Sequence, residues 1–351
     1  MTTTSTAPPV QGAQSTGRLA GNREFTFFRP ARRRPSDYES FTLGQHISPS
    51  NWLFVGWPTC YDDGTPPFRT ESTALRSSEW EAFRDPTETW QRVYVAAQNV
   101  QEQALATTSR SLVQCGALAT MNPAWRDTVL AVHLASYPFV NYGLFRALSY
   151  AVREALTSAL TYALAFQAQD NLRHLQDIVH ATFDIAAAVP GWSDRGARET
   201  WLGAPEWQPA RAAVEGILAS QDWGEIAIAV NLVFEPLFGR LVRREFLLAN
   251  AARNGDPLTV GLMATASIDS ERQLAWTREL VRVLLADEAH GEANRRVITG
   301  WIADRLPGVL AAVDAFAPAF GTPGIATGEP FEAAAGRVKE QQSSMCAALS
   351  L

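Results

Sequence analysis

Lysine is all but missing from this chain: of 30 basic residues, only Lys339 is not arginine. That bias reflects coding more than function. Acidic residues number 36, so the formal net charge is −6 and nothing pulls the chain globally toward nucleic acid or an anionic membrane. Cysteine is scarce. Cys60, Cys115 and Cys346 are odd in number and far apart, and no Cys-x-x-Cys occurs. A zinc ribbon or a disulfide scaffold is excluded, and a reducing compartment fits. No apolar run reaches the roughly 18–20 residues needed to span a bilayer. No N-terminal segment combines a charged start, an apolar centre and a cleavage site. A soluble, cytoplasmic protein is expected. Gly-x-Gly-x-x-Gly, Gly-x4-Gly-Lys-Ser/Thr and Gly-x-Ser-x-Gly are absent as well, so nucleotide-cradling loops and the hydrolase elbow are not in view.

What the chain has is apolar bulk. With 351 residues and 46% hydrophobic content it can build one large core or two. Tryptophan is abundant at 11 and sits near Pro or Gly, as in Gly56-Trp57-Pro58 and Trp207-Gln208-Pro209. Such rings pin loops onto helices or simply fill core.

The chain divides by composition. Residues 1–17 are small, polar and Pro-containing, and a disordered tail is expected. Residues 18–75 interleave arginines (Arg32, Arg33, Arg34) with rings (Phe25, Phe27, Phe28, Tyr38, Trp52, Trp57) and many prolines. This reads as an extended arm, too irregular for a helix, whose rings must be buried somewhere. It either packs on its own domain or wraps a partner subunit. A nucleic-acid interface has only a three-arginine run behind it.

Helix grammar begins at Asp85-Pro86-Thr87-Glu88, which supplies a cap, Pro at the first position and Glu three residues on. A helix is expected from there to about Cys115. Asn122-Pro123 starts a second, with Pro138 as a kink. Thr157 or Ser158 starts a third, which ends at Pro190-Gly191. Residues 190–205 read as loop. Further helices are expected at about 206–220, 223–252 (capped by Asp222), 258–289, 292–316 and, weakly, 331–340. No strand alternation is convincing. The fold class is all-α, with helices of 25–35 residues that point to a bundle at 76–317. Residues 318–351 read as a C-terminal tail with a short helix.

One helix carries a polar cluster, Gln167 to His174, in an otherwise apolar run. Its core, DNLRH at 170–174, is echoed by DSERQ at 269–273. A carboxylate-bridged di-metal bundle draws a Glu from each of two helices and Glu-x-x-His from each of two others, the i,i+3 spacing placing both ligands on one face. On that template Asn171 and His174 fill one Glu-x-x-His slot, and Ser270 and Gln273 the other. The partner Glu slots fall near Asn141-Tyr142-Gly143 and at Glu235. Two divalent cations need several anionic oxygens and two imidazoles; one His and one Glu cannot supply them. Asp170, Arg173, Asp269 and Arg272 persist in both motifs and read as scaffold ion pairs. Taken alone, His174 reads as a hydrogen-bonded histidine. Asp287-Glu288-Ala289-His290-Gly291-Glu292 reads as a solvated helix end, and the Arg240, Arg243, Arg244, Glu245 cluster as an intersubunit network or surface charge.

The stretches RxFTFFRPARRRPSDYE (23–39), SSEWEAFRDPTETWQRVYV (77–95) and NLVFEPLFGRLVRREFLLANAARNGD (231–256) resemble the β subunit of the hydroxylase component of bacterial multicomponent di-iron monooxygenases. The resemblance spans residues 20–310 and is nearest to the alkene and short-alkane branch. It implies a ferritin-like, ribonucleotide-reductase-like bundle that is structural and lacks cofactors of its own. It also implies a di-iron centre in an α subunit, pairing of αβ protomers with or without γ, a small effector, and an NADH reductase with FAD and 2Fe-2S. The expected function is a non-catalytic subunit of a hydrocarbon monooxygenase. The alternatives are an active oxidase using His174, Glu235, Glu271 and His290, and a stand-alone helical binding protein.

Overall fold

The computed structural model describes residues 28–32, 34–45, 64 and 69–351. Among these no strand occurs. Helices, numbered in chain order, are α1 (Asp37–Thr42), α2 (Gln91–Gln114), α3 (123–154), α4 (Ser158–Ala188), α5 (Ala197–Gly203) and α6 (Gln208–Leu218). They continue with α7 (223–251), α8 (Pro257–Leu285), α9 (Gly291–Ala315), α10 (Ala317–Phe320) and α11 (Phe331–Ala348).

The expected caps at Thr157 and Asp222 form, and Asp256 caps α8 in the same way. Each side chain accepts backbone N–H groups of the first turn, at 2.8–3.3 Å. Asn122 accepts from Ala124 N at 3.0 Å and starts α3. The Asp85 signal does not start a helix. Its carboxylate accepts from Thr87 N at 2.9 Å and Thr87 Oγ1 at 2.8 Å, closing a local turn. Glu88 follows at φ 47°, a left-handed residue that cannot continue a helix, so α2 begins at Gln91. Three further boundaries differ. The 190–205 segment contains α5, which buries Trp201; α8 ends at Leu285; and the last helix extends to Ala348 because Val338, Gln342 and Met345 are buried at helical spacing.

Wide π-turns occupy Trp125–Leu134 in α3 and Ala229–Gly239 and Leu241–Leu248 in α7. Pro138 follows the first and Pro236 lies inside the second. A proline removes one N–H and crowds the carbonyl four residues back; the wider turn relieves both, so each helix continues.

Helix α7 is the axis of the core. Ile226 to Phe234 are buried all round, as expected of a helix that is apolar on every face. Helices α3, α6, α8, α9 and α11 pack about it, α3 pairs with α4 along its length, and α2 lies outside on α4 and α8. Gly143 permits the close approach of α3 to α6: a Cβ there would fall 2.2 Å from Val214 Cγ1. Trp125, Trp207, Trp223 and Trp276 are fully buried, and Trp125 Nε1 donates to the Asp256 cap at 2.9 Å.

The arm is helical where it is described over Asp37–Thr42, not extended. Ser36 accepts from Glu39 N, and Glu39 returns the bond to Ser36 N at 2.9 Å, a capping box. Phe28 and Tyr38 are buried within the chain itself, and Tyr38 Oη accepts from Asp85 N at 2.9 Å. Arg32 and Arg34 are exposed. Phe25, Phe27, Arg33, Trp52 and Trp57 lie outside the described residues.

Candidate functional site

Residues 167, 170, 171 and 174 repeat every three or four positions and form one face of α4; 266, 269, 270, 273 and 277 do the same on α8. The two faces meet in the bundle, and their charged side chains cross. Asp170 Oδ2 accepts from Arg272 Nη2 at 2.5 Å and from Gln273 Nε2 at 2.8 Å. Asp269 Oδ2 accepts from Arg173 and lies 3.0 Å from His174 Nε2. Each aspartate is thus held by the fourth and fifth residues of the opposite motif, a two-fold relation visible only when the helices are docked. Asp269 also pairs with Arg272 of its own motif, at 3.2 Å. Arg173 turns away from the aspartate of its own motif, to Asp269 and to Asp177, at 2.9 Å to the latter.

Helix α2 closes this lattice with two side chains that sequence reading missed. Tyr94 Oη donates to Asp170 Oδ1 at 3.0 Å, and Gln98 Nε2 donates to Asp269 Oδ1 at 2.9 Å. Tyr94 and Gln98 are the buried residues of α2 and stand four apart, the one spacing that could have marked them. Arg272 also lies 5.0 Å over the Tyr94 ring.

Burial pushes the Asp170 carboxyl up to about 6 against the pull of Arg272. Burial acts on Asp269 in the same direction, but its hydrogen bond to His174 and the two arginines outweigh it and hold Asp269 at about 2. His174 is pulled down to about 4 by burial and is neutral at pH 7. Its Nε2 faces a carboxylate, so Nε2 carries the proton and donates. The guanidiniums, rather than a charged imidazole, then keep Asp269 ionised.

The positions that the di-metal template assigns to ligands are all engaged by protein groups except one. Asn171 Nδ2 donates to Gln167 O at 3.0 Å. The Gln167 amide pairs with Asn231 of α7 through bonds of 2.6 and 3.0 Å, and Asn231 donates on to Thr277 at 2.8 Å. Ser270 Oγ donates to Ala266 O at 2.9 Å and accepts from Arg243 Nη2 at 3.2 Å. Arg243 also grips Glu235, and Gly239 one turn on makes room for that carboxylate, since a Cβ there would lie 2.5 Å from Glu235 Oε2. A buried guanidinium therefore stands between the Glu slot and the Ser270 slot. The exception is Asn141, buried with neither side-chain polar atom partnered among the described residues; Tyr137 Oη, one turn before it, is likewise unpaired among them. Tyr142 is exposed.

This donor set does not fit a di-iron centre. Three slots hold neutral Asn, Ser and Gln, the lone imidazole donates to an aspartate, and Arg243 adds positive charge where two cations would need negative oxygens. Among the described residues no group of three or more His, Cys, Asp or Glu stands together as a metal site would require. Glu271 is exposed, and His290 lies at the start of α9 beside the Asp287 turn, away from the bundle faces. The Arg240–Glu245 cluster is joined inside the chain: Glu245 pairs with Arg240 at 3.4 Å and with Arg337 of α11 at 2.6 Å. No helix among the described residues is long and apolar enough to cross a membrane.

Long helices paired about two opposed motifs, with ion pairs along the centre, define a ferritin-like helical bundle. The chain belongs to the methane/phenol/alkene hydroxylase family, whose model matches residues 57–288. It is 34% identical over 307 residues to the propane 2-monooxygenase hydroxylase component small subunit of Rhodococcus jostii, covering 86% of this chain and 82% of that one. It is 30% identical over 309 residues to the methane monooxygenase component A beta chain of Methylococcus capsulatus, covering 85% and 79%. The structure of phenol hydroxylase from Pseudomonas sp. OX1 superposes with a TM-score of 0.75, over 91% of this chain and 92% of that chain, at 18% identity. Its likeness speaks for the fold.

Proposed function

We propose that this chain is the non-catalytic β subunit of a di-iron hydroxylase that inserts one oxygen atom from O2 into a hydrocarbon. The carrying observation is Arg243. A fixed guanidinium between Glu235 and Ser270 neutralises the slot with protein charge, and the crossed aspartates brace the bundle around it. The chain's own residues then hold a shape: α4 and α8 are clamped at fixed separation so that outer faces stay rigid against a partner. The iron sits in the α subunit, two αβ protomers assemble with or without γ, and a small effector and an NADH reductase carrying FAD and 2Fe-2S complete the system. The exposed Arg32 and Arg34, together with Phe25, Phe27, Arg33, Trp52 and Trp57, serve the subunit contact. Phe28 and Tyr38 instead anchor the arm to its own bundle.

The test is to purify the chain alone and with its α partner, and to measure iron, oxygen uptake and hydrocarbon oxidation. Iron should follow the α subunit, and His174→Ala in the complex should leave turnover within about two-fold. Stoichiometric iron and oxygen consumption in the chain alone would overturn the reading.

A further inference from the structure

Outside the Glu235–Arg243 pair a cleft of about 650 Å³ opens between α7, α8 and α11. Asn231 and Arg243 line it beside Glu235, Ser270 and Gln273, the three positions that the di-metal template assigns to the second motif and its partner helix. Apolar wall is supplied by Pro236, Leu274, Met345 and Ala348. Charge on the walls is unbalanced. Five guanidiniums (Arg240, Arg243, Arg244, Arg278, Arg337) face three carboxylates (Glu235, Glu271, Glu340), in a chain whose net charge is −6.

The arginines are not equivalent. Arg243 is held by Glu235; Arg240 and Arg337 are held by Glu245, which does not line the cleft, and Arg337 also by Glu329 at 2.8 Å. Arg244 and Arg278 are exposed and make no hydrogen bond or ion pair among the described residues. They come from different helices, α7 and α8, so the mouth offers two free planar forks suited to an oxyanion. A concavity of this size, with a short apolar patch set among charged and polar side chains, falls within the range of about 300 to 1,000 Å³ over which small-molecule sites run.

We propose that this cleft binds a small organic anion. Its carboxylate head lies on Arg244 and Arg278, and its apolar body lies between Pro236, Leu274 and Met345. The site is independent of iron and reaches Glu235 and Ser270 from solvent.

The test is titration calorimetry of octanoate, octanol and inorganic phosphate against the full chain, alone and assembled with its hydroxylase partner. Octanoate should bind saturably at one per chain in both forms, with octanol and phosphate at least ten-fold weaker. Arg244→Gln/Arg278→Gln should weaken octanoate at least ten-fold, and Ala348→Trp should block it by filling the mouth; all three positions are exposed, and circular dichroism checks the fold. Absent saturable binding, or equal binding by both variants, overturns the proposal. Phosphate binding as tightly as octanoate overturns the apolar half of the site. Binding by the chain alone but not by the assembly means that another subunit covers the cleft, which overturns a small-molecule role.

Discussion

His174 Nε2 donates to Asp269 Oδ2 across 3.0 Å, so the one imidazole in the ligand slots is spent on an aspartate of the opposite helix. Gln273 makes the mirror contact, donating to Asp170 Oδ2 at 2.8 Å. The histidine is therefore a hydrogen-bonding equivalent of glutamine here.

That equivalence predicts a pH effect. The His174 pKa falls from 6.5 to about 4 on folding. Above 6.5 both folded and unfolded forms are neutral. Below it the unfolded chain takes up the proton first, so stability is lost as pH falls from about 6.5 to about 4. Asp170, raised to about 6 from 3.8, works in the opposite sense, because the folded form takes its proton first. His174→Gln removes only the imidazole's share. The variant should therefore gain relative to wild type by up to about 3 kcal/mol between pH 7 and pH 4, read from urea unfolding at each pH. A constant difference across that range refutes it.

The two aspartates should differ. Asp269 is held ionised at about 2, whereas burial pushes Asp170 up to about 6. Asp269→Asn leaves Arg173 short of its buried counter-ion and should cost about 3–5 kcal/mol, with Asp170→Asn milder. Thermal unfolding of the two variants at pH 5, where Asp170 is protonated and Asp269 is not, decides the order; equal losses there would mean that both carboxylates bear the same charge.

Arg243 and Glu235 should be strongly coupled. Arg243→Leu strands the Glu235 carboxylate and should destabilise by about 3–5 kcal/mol. Adding Glu235→Gln should recover more than half of that loss, since the uncompensated charge is gone. Additive losses in the double-mutant cycle would show that the pair does not interact.

Gly143→Ala should destabilise by about 1–3 kcal/mol through overpacking, outweighing the roughly 1 kcal/mol that alanine gains in helix propensity. The new Cβ meets the stiff, branched Val214 at 2.2 Å. Val214→Ala in the same chain should restore most of the loss. A stable single variant would show that α3 and α6 can move apart freely.

The sequence by itself determined the class of fold. Caps at Asn122, Thr157, Asp222 and Asp256 are local side-chain-to-backbone bonds, so their residue types announce them, and α4 runs long because Ser158–Ala188 holds no Gly or Pro. Asp85 shows the limit: its side chain can bond the same backbone groups in a turn as in a helix, and a left-handed Glu88 decides for the turn. The polar positions of the two motifs were legible too, because residue types at fixed helical spacing mark a shared face. Which charge meets which was not. Asp170 and Asp269 lie 99 positions apart, and only docking of α4 on α8 hands each aspartate to the other motif's arginine. Tyr94 and Gln98, contributed by a third helix, and Arg243, eight residues beyond Glu235, join for the same reason. Pairwise electrostatics in a buried centre depends on distances of a few ångströms, which tertiary packing sets.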